Sequence, residues 1–322
     1  MGEGFINRKL FFLINSQAGG GKAAQWWRAA LPLLEQQGFD FFWQYSAGGV
    51  ETARQVRRAV LEKGATVVLA AGGDGHLHDV LNGLIENDQL LRPDLALGVY
   101  PAGSGCDFAR MIYLHTGDRQ QEGWLKLLKQ GRLRSLDVGR AAFSRPDGAP
   151  AAAYFLNGVD IGLGAATCLR VNAQDRRVKR LLQGQMAFLL ATLQALAAYD
   201  YTPTRIVADG EELSGLYLIA AAGNGVFMGG NMRLFPAAQP DDGLLDLLLV
   251  RKLPKLQVLR LFAKVYDGTV REVAEVDYRQ VRSVTFLPAA PLPLELDGEL
   301  PGLTPLTVRL LPRLLPVLVF DE

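Results

Sequence analysis

Apolar residues in the first part of the chain form short continuous runs that alternate with helical patterns. Residues 10–14 are apolar throughout, and residues 66–71 are apolar or β-branched, as expected for strands covered on both faces. Another strand-like run covers 39–44, and helical patterns over 26–37 and 50–63 separate these runs. Because strand and helix alternate, this part of the chain is predicted to form a doubly wound, parallel α/β sheet.

The pattern changes from about residue 136 onward. Short strand-like runs dominate there, separated by Gly, Pro and Asp turns, with one helical pattern over 186–199. This pattern is typical of an antiparallel, β-sandwich-like domain. We therefore predict two domains, an α/β domain over residues 1–136 and a β-rich domain over 137–305.

Composition and charge narrow the range of partners. The 322 residues, 49% of them hydrophobic and 21% charged, are enough to bury a large core. The formal net charge is only +1, so no global field attracts nucleic acid, and no nucleic-acid partner is predicted. The two cysteines make no CxxC spacing, which indicates a reduced, cytoplasmic protein. No apolar run reaches the roughly 18 residues of a membrane span, so membrane contact would be peripheral.

Three glycines and an aspartate follow the strand-like run over 66–71. Gly72, Gly73 and Gly75 surround Asp74, and a helical pattern begins directly after them. A strand, a glycine turn and a helix present backbone N–H groups to a phosphate, and glycine lets the anion come close. Asp74 puts a negative charge at this place, so it must meet Mg²⁺, accept a proton or face elsewhere. This combination points to phosphoryl transfer rather than passive binding.

Two further loops of small residues follow strands. Residues 101–110, which read PAGSGCDFAR, open a helix. Since loops at the carboxyl ends of parallel strands line one crevice, this loop and residues 72–75 can contact the same ligand. Residues 15–22 read NSQAGGGK and fail the P-loop spacing, because Ser16 stands where the first glycine belongs. A plain turn and a direct phosphate contact are equal alternatives for this third loop.

Taken in order, these motifs resemble the soluble diacylglycerol kinase catalytic family, which includes bacterial lipid kinases, sphingosine kinases and ceramide kinases. Residues 72–84 are similar to the family's GGDGTxNEVxNGL, and residues 101–110 to its PxGTxNDFAR. Residues 224–246, which end in DDGLLD, and LDGE at 296–299 are similar to signatures of the family's β domain. The match runs over nearly the whole chain. It is therefore far more specific than GGDG alone, which also occurs in NAD kinases and phosphofructokinases.

Three positions depart from the family pattern. His76 replaces a threonine and removes a hydroxyl aimed at a phosphate, although an imidazole N–H could substitute. Cys106 replaces an asparagine beside the nucleotide and removes an amide. Asp79 replaces a glutamate and carries the same charge on a shorter arm. These differences bear on nucleotide affinity and nucleotide choice and leave the fold prediction unchanged.

The resemblance implies that the α/β domain binds ATP and Mg²⁺ and that the β-rich domain binds a lipid whose hydroxyl receives the γ-phosphoryl group. It also implies that the segment 306–322 returns to the first domain. The candidate nucleotide-binding residues all lie in loops or at the starts of helices and are Ser46, Gly72, Gly73, Asp74, Gly75, His76 and Ser104. For Ser46, a plain loop serine is an equal alternative.

The general base and the metal ligand are both assigned to aspartates. Asp297, in the DGE motif, is implied as the general base that deprotonates the lipid hydroxyl, and Asp74 is its rival for that role. Asp242 is implied to hold a structural Mg²⁺ together with backbone carbonyls near Gln239 and Leu244. An ordinary β-turn is the alternative for that segment.

Basic residues within 176–180 precede the apolar stretch 186–196. They fit either a solvated helix start or a surface that rests on anionic lipid at the inner face of a membrane. The sequence leaves open whether the chain forms a homodimer, and it does not name the lipid. Two other functions also stay open. One is a GGDG kinase that acts on NAD or a sugar phosphate, and the other is a catalytically weak nucleotide- or lipid-binding protein.

Overall fold

The computed structural model describes residues 8–103, 105–113, 121–173 and 185–320. The chain divides into two compact units, Met1–Asp137 with Pro312–Glu322 and Val138–Leu311. The first unit combines parallel strands with helices, and the second is rich in antiparallel strands. The predicted combination of an α/β domain and a β-rich domain is therefore confirmed.

Parallel strands form the centre of the first unit. In chain order its elements are β1 (Leu10–Ile14), α1 (Lys22–Gln36), β2 (Phe41–Tyr45), α2 (Gly49–Leu61), β3 (Val67–Gly72), α3 (Asp74–Leu84), β4 (Ile85–Glu86), β5 (Gln89–Leu90), β6 (Ala96–Pro101), α4 (Asp107–Ile112) and α5 (Gln121–Gln130). The sheet order is β2-β1-β3-β6, with all neighbours parallel. Strands β4 and β5 form a separate small hairpin. Pro312 and the residues after it also belong to this unit, and Val317 pairs in parallel with Leu97 of β6.

Side-chain alternation along β1 explains why helices cover both faces of this sheet. Phe12 packs against Trp27 of α1 and Trp124 of α5, with ring centroids 4.9 and 6.2 Å away. Leu13 points to the opposite face and is fully buried, and α3 packs against the sheet there. The continuous apolar runs of β1 and β3 follow from this burial on two sides.

The second unit contains most of the remaining strands and three helices in the described part of the chain. Its elements are β7 (Arg132–Ser144, which starts in the first unit), β8 (Pro150–Phe155), β9 (Gly158–Gly162), α6 (Leu163–Ala173), α7 (Gln185–Ala197), β10 (Pro203–Ala208), β11 (Glu211–Gly223), β12 (Leu245–Arg251), α8 (Lys255–Asp267), β13 (Val276–Val281), β14 (Ser283–Pro288), β15 (Pro293–Leu296) and β16 (Glu299–Val319). Helix α7 confirms the helix predicted over 186–199. Helices α6 and α8 were not predicted.

Six strands of this unit pair antiparallel in a closed circuit. The order is β9, β11, β10, β14, β16 and β15, and β15 pairs with β9 again. Strands β12 and β13 extend from β11, while β7 and β8 extend from β16. Closure leaves few free strand edges. Large side chains such as Phe155, Phe286 and Leu294 fill the interior, so the prediction of an antiparallel, sandwich-like domain is confirmed.

A second apolar layer lies on the outer face of β11 and β12. Leu218 and Leu248 point to this layer, whereas Tyr217 and Leu247 point to the interior of the strand circuit. Residues of α7 and α8 complete the outer layer, including Leu196 and the other members of the same buried cluster. No helix in the described part of the chain is long and apolar enough to cross a membrane.

Candidate functional site

Three small-residue loops meet at the carboxyl edge of the first unit's sheet. A Cβ atom on Gly103 would lie 2.5 Å from the Cα atom of Gly73, and one on Gly19 would lie 2.2 Å from the carbonyl oxygen of Ala102. The loops after β1, β3 and β6 therefore touch through their backbones, and only glycine fits at these places. The loop at 15–22 lies in this group. The sheet order also changes direction between β1 and β3, which is where ligands bind in open α/β sheets.

The carboxylate of Asp74 faces helix α4. Its two oxygens accept the backbone N–H groups of Asp107 at 3.0 Å and Phe108 at 3.2 Å. Burial raises the pKa of Asp74, as does the charge of Asp107, while these amide hydrogen bonds lower it. The sequence left three possibilities for the charge of Asp74, namely contact with Mg²⁺, protonation, or an orientation away from the phosphates. The geometry matches the third possibility. Asp74 thereby fixes the start of α4 against the glycine loop, and any role as metal ligand or base stays a prediction.

The imidazole of His76 points into the sheet. Its Nε2 atom lies 3.1 Å from the carbonyl oxygen of Leu13, and the residue is buried. Because a carbonyl oxygen only accepts, we assign the proton to Nε2, and burial lowers the pKa of the ring. Gly72 makes the space for this ring, since a Cβ atom there would lie 2.5 Å from it. In this structure the ring is turned to β1, and the expected contact between this side chain and a phosphate stays a prediction.

The other predicted nucleotide contacts lie near the same edge or outside the described residues. Gly75 is the second residue of α3. The hydroxyl oxygen of Ser46 lies 2.8 Å from that of Thr52 and accepts the N–H of Gly48, so it supports the start of α2. Ser104 lies outside the described residues. The nucleotide contacts of Ser46 and Ser104 therefore stay predictions.

The two remaining departures from the family pattern also have local explanations. Cys106 has a φ of +54°, a left-handed conformation in which asparagine is among the favoured residues. Its Sγ atom accepts the N–H of Gly103 at 3.2 Å, and burial together with the charge of Asp74 raises the thiol pKa to about 11. This thiol is neutral at pH 7. Asp79 accepts the N–H of Gly49 at 2.8 Å and so links α3 to α2.

In the second unit, Asp297 is buried and held by backbone amides. Its carboxylate accepts N–H groups from Leu156 at 2.8 Å, Asn157 at 2.9 Å and Gly158 at 3.1 Å. Its φ of +49° is again left-handed. This geometry anchors the turn after β15 to the segment between β8 and β9. Three of the lone-pair positions that a base would use accept hydrogen bonds from backbone N–H groups. The role of general base stays a prediction.

The segment around Asp242 forms a turn. The Oδ1 atom of Asp242 accepts the N–H of Leu244 at 2.9 Å, and both Asp242 and Gln239 are exposed. Among the residues that the structure describes, no group of three or more His, Cys, Asp or Glu side chains could hold a metal ion. One carboxylate with main-chain carbonyls still suits an Mg²⁺ ion that keeps several waters, so this site stays a prediction.

A cavity of about 120 Å³ lies within the second unit, between α6, α7, α8 and β11. Leu163, Phe262 and Met232 are typical of its apolar walls. Its polar lining residues are Asp160, Thr167, Cys168, Thr192 and Glu295. Asp160 and Glu295 are not among the site residues predicted from the sequence. The signal that could have found them is a carboxyl group inside an otherwise apolar strand, which folding tolerates only with a partner.

Two family models match most of the chain, and curated relatives match it in sequence. The diacylglycerol kinase catalytic domain matches residues 9–141, and the YegS C-terminal NAD kinase beta sandwich-like domain matches residues 158–319. A probable lipid kinase YegS-like protein of Chromohalobacter salexigens is 34% identical over 251 residues, covering 78% of this chain and 74% of the relative. A diacylglycerol kinase of Mycobacterium tuberculosis is 28% identical over 314 residues, covering 96% and 94%.

Solved structures show the same fold. The crystal structure of a diacylglycerol kinase from Bacillus anthracis has a TM-score of 0.74 at 21% identity, and the match covers 97% of each chain. The resemblance drawn from the sequence motifs is confirmed by the family matches and the curated relatives.

Proposed function

This chain belongs to the diacylglycerol kinase family, and from that premise we propose that it transfers the γ-phosphoryl group of ATP to the hydroxyl of a lipid. The observation that carries the proposal is the apolar cavity of the second unit with its few polar lining residues. Apolar walls with a small number of placed polar groups suit a ligand that has a hydrocarbon tail and a polar head.

The first unit supplies the nucleotide side of the proposal. Backbone N–H groups of the glycine loops would bind the triphosphate, and the close approach of Gly73 and Gly103 leaves this surface free of side chains. An open groove of about 520 Å³ borders the loop after β1, with Arg28 and Tyr45 in its wall. Asp74 would keep α4 in place beside the loops. Mg²⁺, when bound, would neutralise charge on the phosphates, and Asp242 would hold a structural ion.

Exposed leucines support peripheral contact with a membrane. Leu169 on α6 and Leu189, Leu190 and Leu193 on α7 are between 38% and 45% exposed. The same two helices contribute Cys168 and Thr192, among others, to the cavity wall. Clustered apolar side chains in water mark a surface that binds lipid or protein. We assign this surface to the lipid bilayer that holds the substrate. The basic residues within 176–180 lie outside the described residues.

The test is transfer of labelled γ-phosphate from ATP, with Mg²⁺, into a panel of lipids in mixed micelles. NAD and a sugar phosphate serve as alternative acceptors. We expect label in a lipid and none in the soluble acceptors. Measurable ATP binding without transfer to any lipid would replace the proposal with a nucleotide-binding protein. Label in NAD or the sugar would replace it with a different kinase.

A further inference from the structure

Strand β2 is the last strand at one end of the first unit's sheet. It pairs with β1 on one side, and no strand of the described residues pairs with its other edge. The carbonyl oxygen of Asp40 and the N–H of Ser46 both form hydrogen bonds with β1. Because backbone groups alternate in direction along a strand, the even-numbered residues between these two also point to β1. The N–H and C=O groups of Phe41, Trp43 and Tyr45 therefore point to the outer edge.

The features that normally protect an edge strand are missing from β2. Residues 41–45 read FFWQY, without lysine, proline or any charge, and their register with β1 contains no bulge. Trp43 is 37% exposed and Tyr45 is 42% exposed. The side chain of Gln55 donates to the carbonyl oxygen of Tyr45 at 3.0 Å, but that oxygen has a second lone pair. An apolar edge of this kind is open to pairing with another strand.

The outward groups of β2 match those of an identical strand. If a second copy lies antiparallel about a twofold axis at Trp43, this residue faces its own counterpart, and Phe41 faces Tyr45 of the second copy. All of these residues point outward, so each pair exchanges hydrogen bonds across the edge. Their side chains share one face of the strand, and cross-strand aromatic pairs stabilise a sheet. A shift of one residue would instead oppose outward groups to groups that already bond β1.

Helix α2 places complementary charges beside this edge. Glu51, Gln55 and Arg58 are spaced i, i+4 and i+7 and form one stripe along the helix. Gln55 contacts both the side chain of Gln44 and the carbonyl of Tyr45, so the stripe borders the outer edge of β2. The helix connects two parallel strands and runs opposite to them, which puts its acidic end beside the end of β2 and its basic end nearer the start.

The same twofold axis brings these charges together. It places the Glu51 end of one stripe beside the Arg58 end of the other, because the two copies run in opposite directions. Both side chains are accessible, with 40% of Glu51 and 55% of Arg58 exposed, and they also pair with each other within one copy. A second copy therefore offers each charge a further opposite charge. Charges arranged in this way favour one partner and one orientation.

We propose that the chain forms a homodimer through β2, in which two copies of this strand pair antiparallel about Trp43 and join the sheets of the two first units into one continuous sheet. A second copy is favoured over a foreign peptide because the register and the charges of this edge are both self-complementary. The inference is independent of the proposed kinase reaction and does not involve the cavity of the second unit.

Sedimentation velocity of the full chain over a range of concentrations tests the proposal. The expected species has twice the 35.1 kDa mass of one chain. Trp43→Lys puts a charge at the centre of the paired edge and should raise the dimer dissociation constant at least about thirtyfold, and Tyr45→Lys serves if that variant does not fold. Leu61→Lys is the matched control. Leu61 is 60% exposed and lies six positions after Gln55, on another face of α2, so the dissociation constant should not change.

Exchange of charges tests the antiparallel arrangement. Glu51→Arg gives each stripe two basic ends and should raise the dissociation constant about tenfold. Adding Arg58→Glu reverses the stripe, which is again complementary about the twofold axis, so the double variant should dimerise as the parent does. A double variant no tighter than Glu51→Arg alone would overturn the antiparallel arrangement.

Two results would overturn the interface itself. One is a parent chain that sediments as a monomer at every concentration. The other is a dimer whose dissociation constant is unchanged in folded Trp43→Lys and Tyr45→Lys. A dimer that dissociates in Leu169→Lys, on α6, but not in Trp43→Lys would be a case of the second result and would assign the interface to the second unit.

Discussion

Replacing Asp297 with asparagine tests whether this residue anchors the second unit. Both oxygens of the carboxylate accept backbone N–H groups, with two bonds to Oδ1 and one bond to Oδ2. Asparagine has one oxygen and one NH₂ group, and NH₂ does not accept a hydrogen bond from an amide. If the oxygen keeps Asn157 and Gly158, the NH₂ group faces the N–H of Leu156. One hydrogen bond is lost, and one buried amide is left without a partner.

The magnitude follows from these contacts. A hydrogen bond to a charged group contributes about 1.5–3 kcal/mol, and an unsatisfied buried donor costs about 1–3 kcal/mol, with overlap between the two. We therefore expect Asp297→Asn to lower the free energy of unfolding by about 3 kcal/mol. For a unit of this size that corresponds to a Tm lower by about 6–12 °C.

Thermal unfolding followed by calorimetry measures the effect, and Asp209→Asn is the control. Asp209 also has a left-handed φ, +47°, and accepts backbone N–H groups from Arg282 and Ser283, but it is exposed. Water can replace what its carboxylate loses, so this variant should cost less than about 1 kcal/mol. An unchanged Tm in Asp297→Asn would refute the anchoring role.

Three other substitutions have defined outcomes. Gly103→Ala places a Cβ atom against the backbone of Gly73 and should push the two glycine loops apart. The ATP dissociation constant should therefore rise at least about tenfold. Unchanged affinity in a binding titration would contradict the proposal that these loops bind ATP together. Cys106→Asn should raise the free energy of unfolding by about 0.5–1 kcal/mol in chemical denaturation, because asparagine tolerates the left-handed backbone; a loss of stability would count against this explanation. Burial lowers the pKa of His78 to about 4, so between pH 6.5 and 4 the unfolded chain binds a proton that the folded chain does not. Over that window His78 should lower the stability of the parent protein by about 3 kcal/mol relative to the stability of His78→Gln. An equal change of stability in the parent and the variant would exclude this role of His78.

Much of the fold could be predicted because local patterns and tertiary environment agree. The apolar run over 66–71 predicts a strand covered on both faces, and β3 has helices on both sides in the structure. Helix α6 was missed because its local pattern does not distinguish it from the strand before it. Helix α6 begins directly at the end of β9, inside a mostly apolar and glycine-rich segment. Neither a capping residue nor a change in the hydrophobic period therefore marks its start.

The direction in which site side chains point could not be predicted. Asp74 faces α4 because the loop after β6 returns beside the loop after β3, and no local pattern encodes that contact. His76 turns to β1 because Gly72 leaves space for its ring. The pairing of Asp160 with Glu295 depends on the register of β9 and β15, two strands far apart in the chain. The motifs predicted which loops matter, whereas tertiary pairing decides which atoms face a ligand.

The most direct test of the account is lipid phosphorylation by a variant whose cavity is blocked. Thr192 on α7 lines the cavity and is 3% exposed, so Thr192→Phe should fill the space intended for the lipid tail. Gln194 lies on the same helix, is exposed and is outside the lining, which makes Gln194→Phe the matched control. We predict that Thr192→Phe binds ATP as the parent protein does but transfers little or no phosphate to lipid, while Gln194→Phe retains both activities. Transfer at the parent rate by a folded Thr192→Phe variant would contradict the assignment of the lipid to this cavity.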